Sequence, residues 1–131
     1  MITTLAITSS GRDQCIDVTD QVTRVVTQSR VKEGMCWVMV PHTTAGVTIN
    51  EGADSSVRQD ILGHLDRSVP RNGPYHHREG NSAAHIKSSL VGCSQVIAIQ
   101  DGRLLLGTWQ SIYFCEFDGP RRRNLVVRID A

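Results

Sequence analysis

The stretch Met35-Cys36-Trp37-Val38-Met39-Val40-Pro41-His42-Thr43-Thr44-Ala45-Gly46-Val47-Thr48-Ile49-Asn50 reads as strand, turn and strand. Met35 to Val40 is almost wholly apolar, as expected of a strand buried on both faces. Pro41-His42-Thr43-Thr44 interrupts it as a turn, and Val47 to Asn50 resumes extended structure. A histidine thus sits directly after a buried strand, where a rigid scaffold can aim its ring. Two hydroxyls and the Gly46 backbone lie beside it, able to hold an anion or orient a water.

Upstream, Ile2 to Thr8 is rich in β-branched residues and breaks at Ser9-Ser10-Gly11, which predicts a strand. A second short strand, Gln14 to Val18, is expected to pair with it as a hairpin. Asp17-Val18-Thr19-Asp20 offers capping oxygens, and Val18, Val22, Val25 and Val26 recur at helical spacing to about Arg30. Downstream, Asp54 caps, or supplies a first-turn acid to, a second helix carrying Val57, Ile61, Leu62 and Leu65. Residues Asp66 to Gly80 hold Pro70, Gly73 and Pro74 with little periodicity, as a functional or mobile loop does.

Asn81-Ser82 opens a third helix with Ala83, Ile86 and Leu90 on an apolar face and Ser82, His85, Ser88 and Ser89 on a polar one. Gln95 to Ile99, Leu104 to Leu106, Ser111 to Phe117 and Asn124 to Ile129 read as further strands, with turns at Asp101-Gly102 and Asp118-Gly119-Pro120. Strands outnumber helices and do not alternate with them regularly. The expectation is an α+β fold with a mostly antiparallel, β-sandwich-like core and about three helices.

A chain of 131 residues suits one domain spanning 1–131 and is about half the length of a typical β/α barrel. Fourteen basic against thirteen acidic side chains leave a net charge of +1, so no global field favours nucleic acid or an anionic membrane. Cys15, Cys36, Cys93 and Cys115 are scattered without a Cys-x-x-Cys pair, which suits reduced thiols in a cytoplasmic protein. No leader is expected at the start, and no apolar run reaches membrane-spanning length.

Chemistry concentrates where scarce residues do. Four of the five histidines lie at His42, His76, His77 and His85. If the loop folds back across the third helix, His42, His77 and His85 present three nitrogens to a zinc-type metal and leave a position open for water or substrate. The spacing matches no established metal signature, and a solvated histidine-rich loop is the plainer alternative. His64 reads as a surface residue. Glu51 or Asp54 suits a general base, although capping and an i,i+4 pair with Arg58 account for Asp54 equally well. Strand alternation sends Arg121 and Arg123 to one face and Arg122 to the other; guanidinium forks suit phosphate, and a charged edge strand is the alternative. Trp109-Gln110 combines a flat apolar surface with an amide able to read a heterocycle, or else packs in the core or at a subunit contact.

Taken together, His42-Thr43-Thr44-Ala45 running into Thr48-Ile49-Asn50-Glu51, then Asp54, Val57-Arg58-Gln59-Asp60, Glu79-Gly80, His85-Ile86-Lys87-Ser88-Ser89 and Gly107-Thr108-Trp109-Gln110 resemble the YjbQ family. The blocks occur in order over essentially the full length. The resemblance implies an α+β fold, a homotrimer with clefts near subunit contacts, and secondary thiamine-phosphate synthase activity. That reaction joins a pyrimidine methyl diphosphate to a thiazole phosphate and releases pyrophosphate. Carried over by position, the family's recurrent polar residues fall on His42, His77, His85, Glu51, Asp54, Trp109 and Gln110, with Arg122 matching more loosely and His76 outside the pattern. A shorter segment between Gly80 and His85 than in some relatives, and the Phe114 to Asp118 run, depart from it.

The roles expected from residues and resemblance together are therefore a metal at His42, His77 and His85, and catalysis by Glu51, Asp54 and Gln110. Binding of a small phosphorylated metabolite falls to Thr43, Thr44, Lys87, Ser88, Trp109 and Arg122. Magnesium is the usual partner of a diphosphate leaving group, yet three imidazoles suit zinc, because magnesium prefers oxygen ligands. Two alternatives stand beside the synthase: a zinc-type hydrolase of a phosphorylated or carbonyl metabolite, and a trimer that binds such a metabolite without turnover.

Overall fold

The computed structural model describes residues Met1 to Ala131. Eight strands and three helices follow one another as β1 (Ile2–Thr8), β2 (Gln14–Asp17), α1 (Thr19–Ser29), β3 (Gly34–Met39), β4 (Ala45–Glu51), α2 (Ser55–Ser68), α3 (Ser82–Val91), β5 (Ser94–Gln100), β6 (Arg103–Leu104), β7 (Gln110–Glu116) and β8 (Arg122–Asp130). Every strand pair is antiparallel. A five-stranded sheet runs β1-β8-β3-β5-β6 and a three-stranded sheet runs β2-β7-β4. The α+β fold with three helices and antiparallel sheets is as expected from the sequence. No helix is long and apolar enough to cross a membrane.

The core lies between the two sheets. Val38, Ile97, Leu125 and Val127 point inward from the larger sheet, and Val47, Ile112 and Phe114 meet them from the smaller one. Val22, Val25 and Val26 add the buried stripe of α1 to the same cluster. Tyr113 and Cys115 on the other face of β7, with Phe117 just beyond its end, pack with Ala84 of α3 and against Leu62 and Leu65 of α2. The middle strand of the smaller sheet is therefore covered on both sides, and the molecule has three layers.

Three local expectations are corrected. β1 and β2 do not form a hairpin: β1 pairs with β8, and β2 with β7. The segment between them steps from one sheet to the other, pinned where the Ser9 amide donates to the Arg121 carbonyl at 3.1 Å. β3 is buried on one face only. Cys36 and Val38 are inside, while Met35, Trp37 and Met39 keep 39, 48 and 42% of their surface exposed. An apolar run does not by itself distinguish two buried faces from one buried face backed by an apolar outer one.

The third correction concerns α3, which turns Ala83, Ala84, Lys87 and Ser88 inward and leaves Ile86 and Leu90 partly exposed. The end of α3 approaches β4 closely. A Cβ added to Gly46 in β4 would come within 2.6 Å of the Gly92 carbonyl and 3.1 Å of Val91 Cγ1, so the strand carries glycine at that contact. The strand expected over Leu104 to Leu106 shortens to Arg103–Leu104. Asp54 caps α2 as expected, accepting from the Ser56 amide at 3.0 Å. The cap position of α1 falls on Val18, which has no side-chain cap bond, and only Asp17 among the expected capping oxygens reaches the helix start, accepting from the Thr19 amide at 2.9 Å.

Candidate functional site

The turn after β3 carries His42, and α3 carries His85. The segment before α3 carries His77. All three imidazoles line one open cleft of about 470 Å³, together with Pro41, Thr43, Thr44, Glu79, Asn81, Asp118, Arg121 and Arg123, so Pro41 is the one apolar side chain in a polar lining. His77 and His85 meet edge to face, with ring centroids 5.3 Å apart and planes at 89°. Glu79 stands 3.8 Å from His77 Nε2.

The floor of the cleft is a buried polar network. Glu116 on β7 is fully buried, and Arg123 on β8 is 5% exposed. Arg123 Nε donates to Glu116 Oε1 at 2.9 Å and a second guanidinium nitrogen reaches Oε2. The same guanidinium donates to Thr44 Oγ1 at 2.7 Å, and Ser9 Oγ donates to Glu116 at 2.8 Å. Burial alone would push the Glu116 carboxyl up. Hydrogen bonds from Arg123, the Asp118 amide and Ser9 overcome that and hold it below the usual carboxylate range. The pair is therefore charged, neutralised and geometrically fixed.

His42 stands on this floor. Its Nε2 accepts the Asn124 amide proton at 2.9 Å. The acceptor nitrogen must be unprotonated, so in the neutral ring the proton sits on Nδ1. Desolvation, and then the Arg123 charge, lower its pKa from the ordinary histidine value. Asn81 Nδ2 donates to Asp118 at 2.9 Å, while Asn81 Oδ1 is buried with no protein partner. Asp118 also pairs with Arg121 at 3.0 Å.

The structure groups His42, Thr43, Thr44, His77 and His85, with Ser88 beside them: its hydroxyl donates to the Thr43 carbonyl at 2.6 Å and lines an adjoining recess with His42, His85 and Ser89. It does not group the others with them. Lys87 points away, its ammonium 2.6 Å from Asp13 and 3.1 Å from Asp66, with the side chain 3% exposed. This is a tie among α3, α2 and the segment before β2, not a free cation in the cleft. Arg122 lies in register with Thr8 on the outer face of β8. The histidines furnish no site at which three metal-capable side chains converge.

Glu51, Asp54, Trp109 and Gln110 stand at the opposite end of the small sheet, where Glu51 pairs in register with Gln110. The Ala45–Glu116 pair marks the cleft end. Six residue steps separate the two, about 20 Å along the strand. Glu51 accepts from the Ala53 amide at 2.8 Å, Gln110 accepts from the Gly107 amide at 2.7 Å, and Trp109 is 64% exposed. Strand alternation puts Arg121 and Arg123 on one face and guanidinium forks suit phosphate, yet the sequence assigned the binding role to Arg122. The cleft residues that sequence reasoning missed outright are Glu116, Asn81 and Asp118.

A three-layer α+β protein with a mostly polar histidine cleft over a buried carboxylate–guanidinium floor is the class this architecture defines. Residues 3–130 match the family described as UPF0047 protein YjbQ-like, and the chain belongs to it. It is 54% identical over 123 residues to a UPF0047 protein of Methanocaldococcus jannaschii, covering 94% of this chain and 89% of that one. It is 47% identical over 130 residues to UPF0047 protein YugU of Bacillus subtilis, covering 98% of both. The crystal structure of an uncharacterized YjbQ/UPF0047 family protein from Clostridium acetobutylicum superposes with a TM-score of 0.96 at 54% identity, covering 98% of this chain and 99% of that one. A hypothetical protein from Aeropyrum pernix does so at 0.96 and 34% identity, covering 100% and 98%. These relatives fix the family and its fold, and their names carry no activity.

Proposed function

We propose that the histidine cleft binds a phosphorylated heterocycle and that the protein is a weak thiamine-phosphate synthase. One observation carries the reading: three imidazoles and two guanidinium groups line a mostly polar cleft, over a floor held rigid by burial. Donors fixed before the substrate arrives stabilise developing charge without reorganising. In the reaction the thiazole nitrogen attacks the pyrimidine methylene carbon, a C–N bond forms, the C–O bond breaks, and pyrophosphate leaves with the electron pair. The ring N–H groups of His77 and His85 would donate to that charge, Arg121 would add to it, and His42 would donate through Nδ1. Asn81 Oδ1 offers an acceptor to an amino group on the heterocycle.

Magnesium, when bound, would neutralise the diphosphate. Glu79 and Asp118 are the oxygen donors present for it, and Asp118 is already paired. Incubating the protein with both precursors under magnesium, manganese and zinc should yield product and pyrophosphate. A His77→Ala/His85→Ala variant should lose about 100-fold or more in kcat/KM. No turnover under any of the three metals overturns the assignment.

A zinc-type hydrolase is the second reading, favoured by the His77–His85 contact and by His42 in the same cleft. As arranged, His42 Nε2 is occupied by Asn124, so these donors do not fit a three-histidine metal and no step is routed through one. Stoichiometric zinc in protein purified without an affinity tag, lost in the double variant, would move the assignment to hydrolysis. Thermal shifts with phosphates but no turnover would leave a binding protein.

We also propose a cytoplasmic homotrimer, supported by the free cysteines and by the apolar outer face of Met35, Trp37, Met39 and Val96. A neighbouring copy would then be the source of Glu51, Asp54, Trp109 and Gln110 for this cleft. Mixing inactive His85→Ala and Trp109→Ala chains should restore part of the activity if sites are shared between copies. Sedimentation of a monomer at working concentration would reject the trimer.

A further inference from the structure

We propose that Cys15 and Cys115 form a peroxide-responsive thiol pair that closes to an intrachain disulfide between β2 and β7. The two are register partners on neighbouring antiparallel strands, with their sulfur atoms 4.0 Å apart. The Val18 amide bonds the Ile112 carbonyl three steps along the same ladder. Hydrogen-bonded and non-hydrogen-bonded pairs alternate, so Cys15 and Cys115 occupy a non-hydrogen-bonded position, where side chains approach most closely. Its Cα separation of about 4.5 Å lies within the range a disulfide spans, so closure needs side-chain rotation and no strand movement.

The two thiols differ in the way such chemistry requires. Cys15 is half-buried at the margin of the layer beneath Leu62 and Leu65, and Cys115 is 2% exposed. The contact with Cys115 holds the Cys15 thiol below its ordinary range against burial, with help from the Arg58 guanidinium; the same contact, and then burial, pushes Cys115 up. Cys15 is the nucleophile and Cys115 the resolving thiol. Neither remaining cysteine has such a partner. Cys36 is buried and pushed up to about 11 by desolvation, and Cys93 is exposed.

The steps balance with a hydroperoxide as oxidant. Cys15 sulfur attacks the peroxide oxygen, an S–O bond forms, the O–O bond breaks, and the departing hydroxide takes the thiol proton to become water. Cys115 sulfur then attacks Cys15 sulfur; the S–S bond forms, the S–O bond breaks, and a second water leaves with the Cys115 proton. Two thiols lose two electrons and one hydrogen peroxide gains them.

The test is peptide mapping of the full-length folded protein after hydrogen peroxide, with alkylation before digestion. The expected result is a cross-linked peptide joining Cys15 to Cys115, with both residues lost from alkylation and recovered after dithiothreitol. In Cys115→Ser the reaction should stop at a Cys15 sulfenic acid, trapped by dimedone; Cys15→Ser should give neither product. Because the wild-type map needs no variant, a poorly folding substitution does not blunt the test. Full alkylation of both cysteines after peroxide overturns the proposal, as does wild-type Cys15 advancing to sulfinic acid without cross-linking.

Discussion

The two ends of the β4–β7 ladder use similar polar residues for opposite purposes. At the Ala45–Glu116 end, Ser9 just after β1, Thr44 just before β4, Glu116 of β7 and Arg123 of β8 converge on a buried network, and His42, His77 and His85 project above it. At the Glu51–Gln110 end, each polar group bonds a backbone amide close by in its own loop, and the large residue, Trp109, faces solvent. One end is organised by the fold, and the other organises only itself. A site is more readily preorganised on the first, because burial fixes the groups beneath it.

The largest test of that contrast is Glu116→Gln. It leaves the buried Arg123 charge uncompensated and should cost about 3–5 kcal/mol, read as a lower urea midpoint with an unchanged slope. Glu51→Gln at the far end should change stability by no more than about 0.5 kcal/mol in the same assay. Equal losses at the two ends would erase the distinction. Thr44→Val comes next. It removes the hydroxyl that accepts from Arg123 and should cost about 1.5–3 kcal/mol, the scale for a hydrogen bond to a charged group.

A third measurement probes the self-contained end. Asp54→Ala removes the α2 cap, and with it bonds to the amide and hydroxyl of Ser56. The expected cost is about 1 kcal/mol, with hydrogen exchange accelerated in the first turn of α2 and unchanged around His42. Faster exchange at the cleft would show that the two ends are coupled.

The contrast also explains what could be read from the chain. Strands and helices were legible because periodicity and turn residues act locally: Ile2 to Thr8, the valine stripe of α1 and the Asp54 cap all appear where expected. Pairing was not, since nothing near Gln14 to Asp17 reveals that its partner lies in Gln110–Glu116. For Arg121 to Arg123, alternation separated the faces but could not say which one is inward, so Arg122 drew attention while Arg123 holds the floor. Lys87 failed as a substrate cation for a related reason. Its two carboxylates come from Asp13 and Asp66, and a helical pattern carries no trace of either. The histidines were legible as a group because scarcity and clustering are visible without a fold.

The smallest expected effect concerns His42, and its sign distinguishes a ring built into the floor from one merely lying on the surface. Desolvation and the nearby Arg123 charge lower its pKa in the folded chain, so the unfolded chain takes up the proton first as pH falls. Above about pH 6.5, the ordinary histidine value, the ring is neutral in both states and contributes no slope. Below it, the unfolded state binds more protons and stability declines, levelling off once pH passes the lower folded value. His42→Gln should flatten that part of the stability profile. Two-dimensional NMR offers the direct reading: the His42 ring should titrate below the usual midpoint, and the Asn124 amide should shift with it, because protonating Nε2 abolishes the acceptor it uses. A normal midpoint with an unmoved Asn124 amide would place His42 on the surface, and the cleft would keep only His77 and His85 as imidazoles for its ligand.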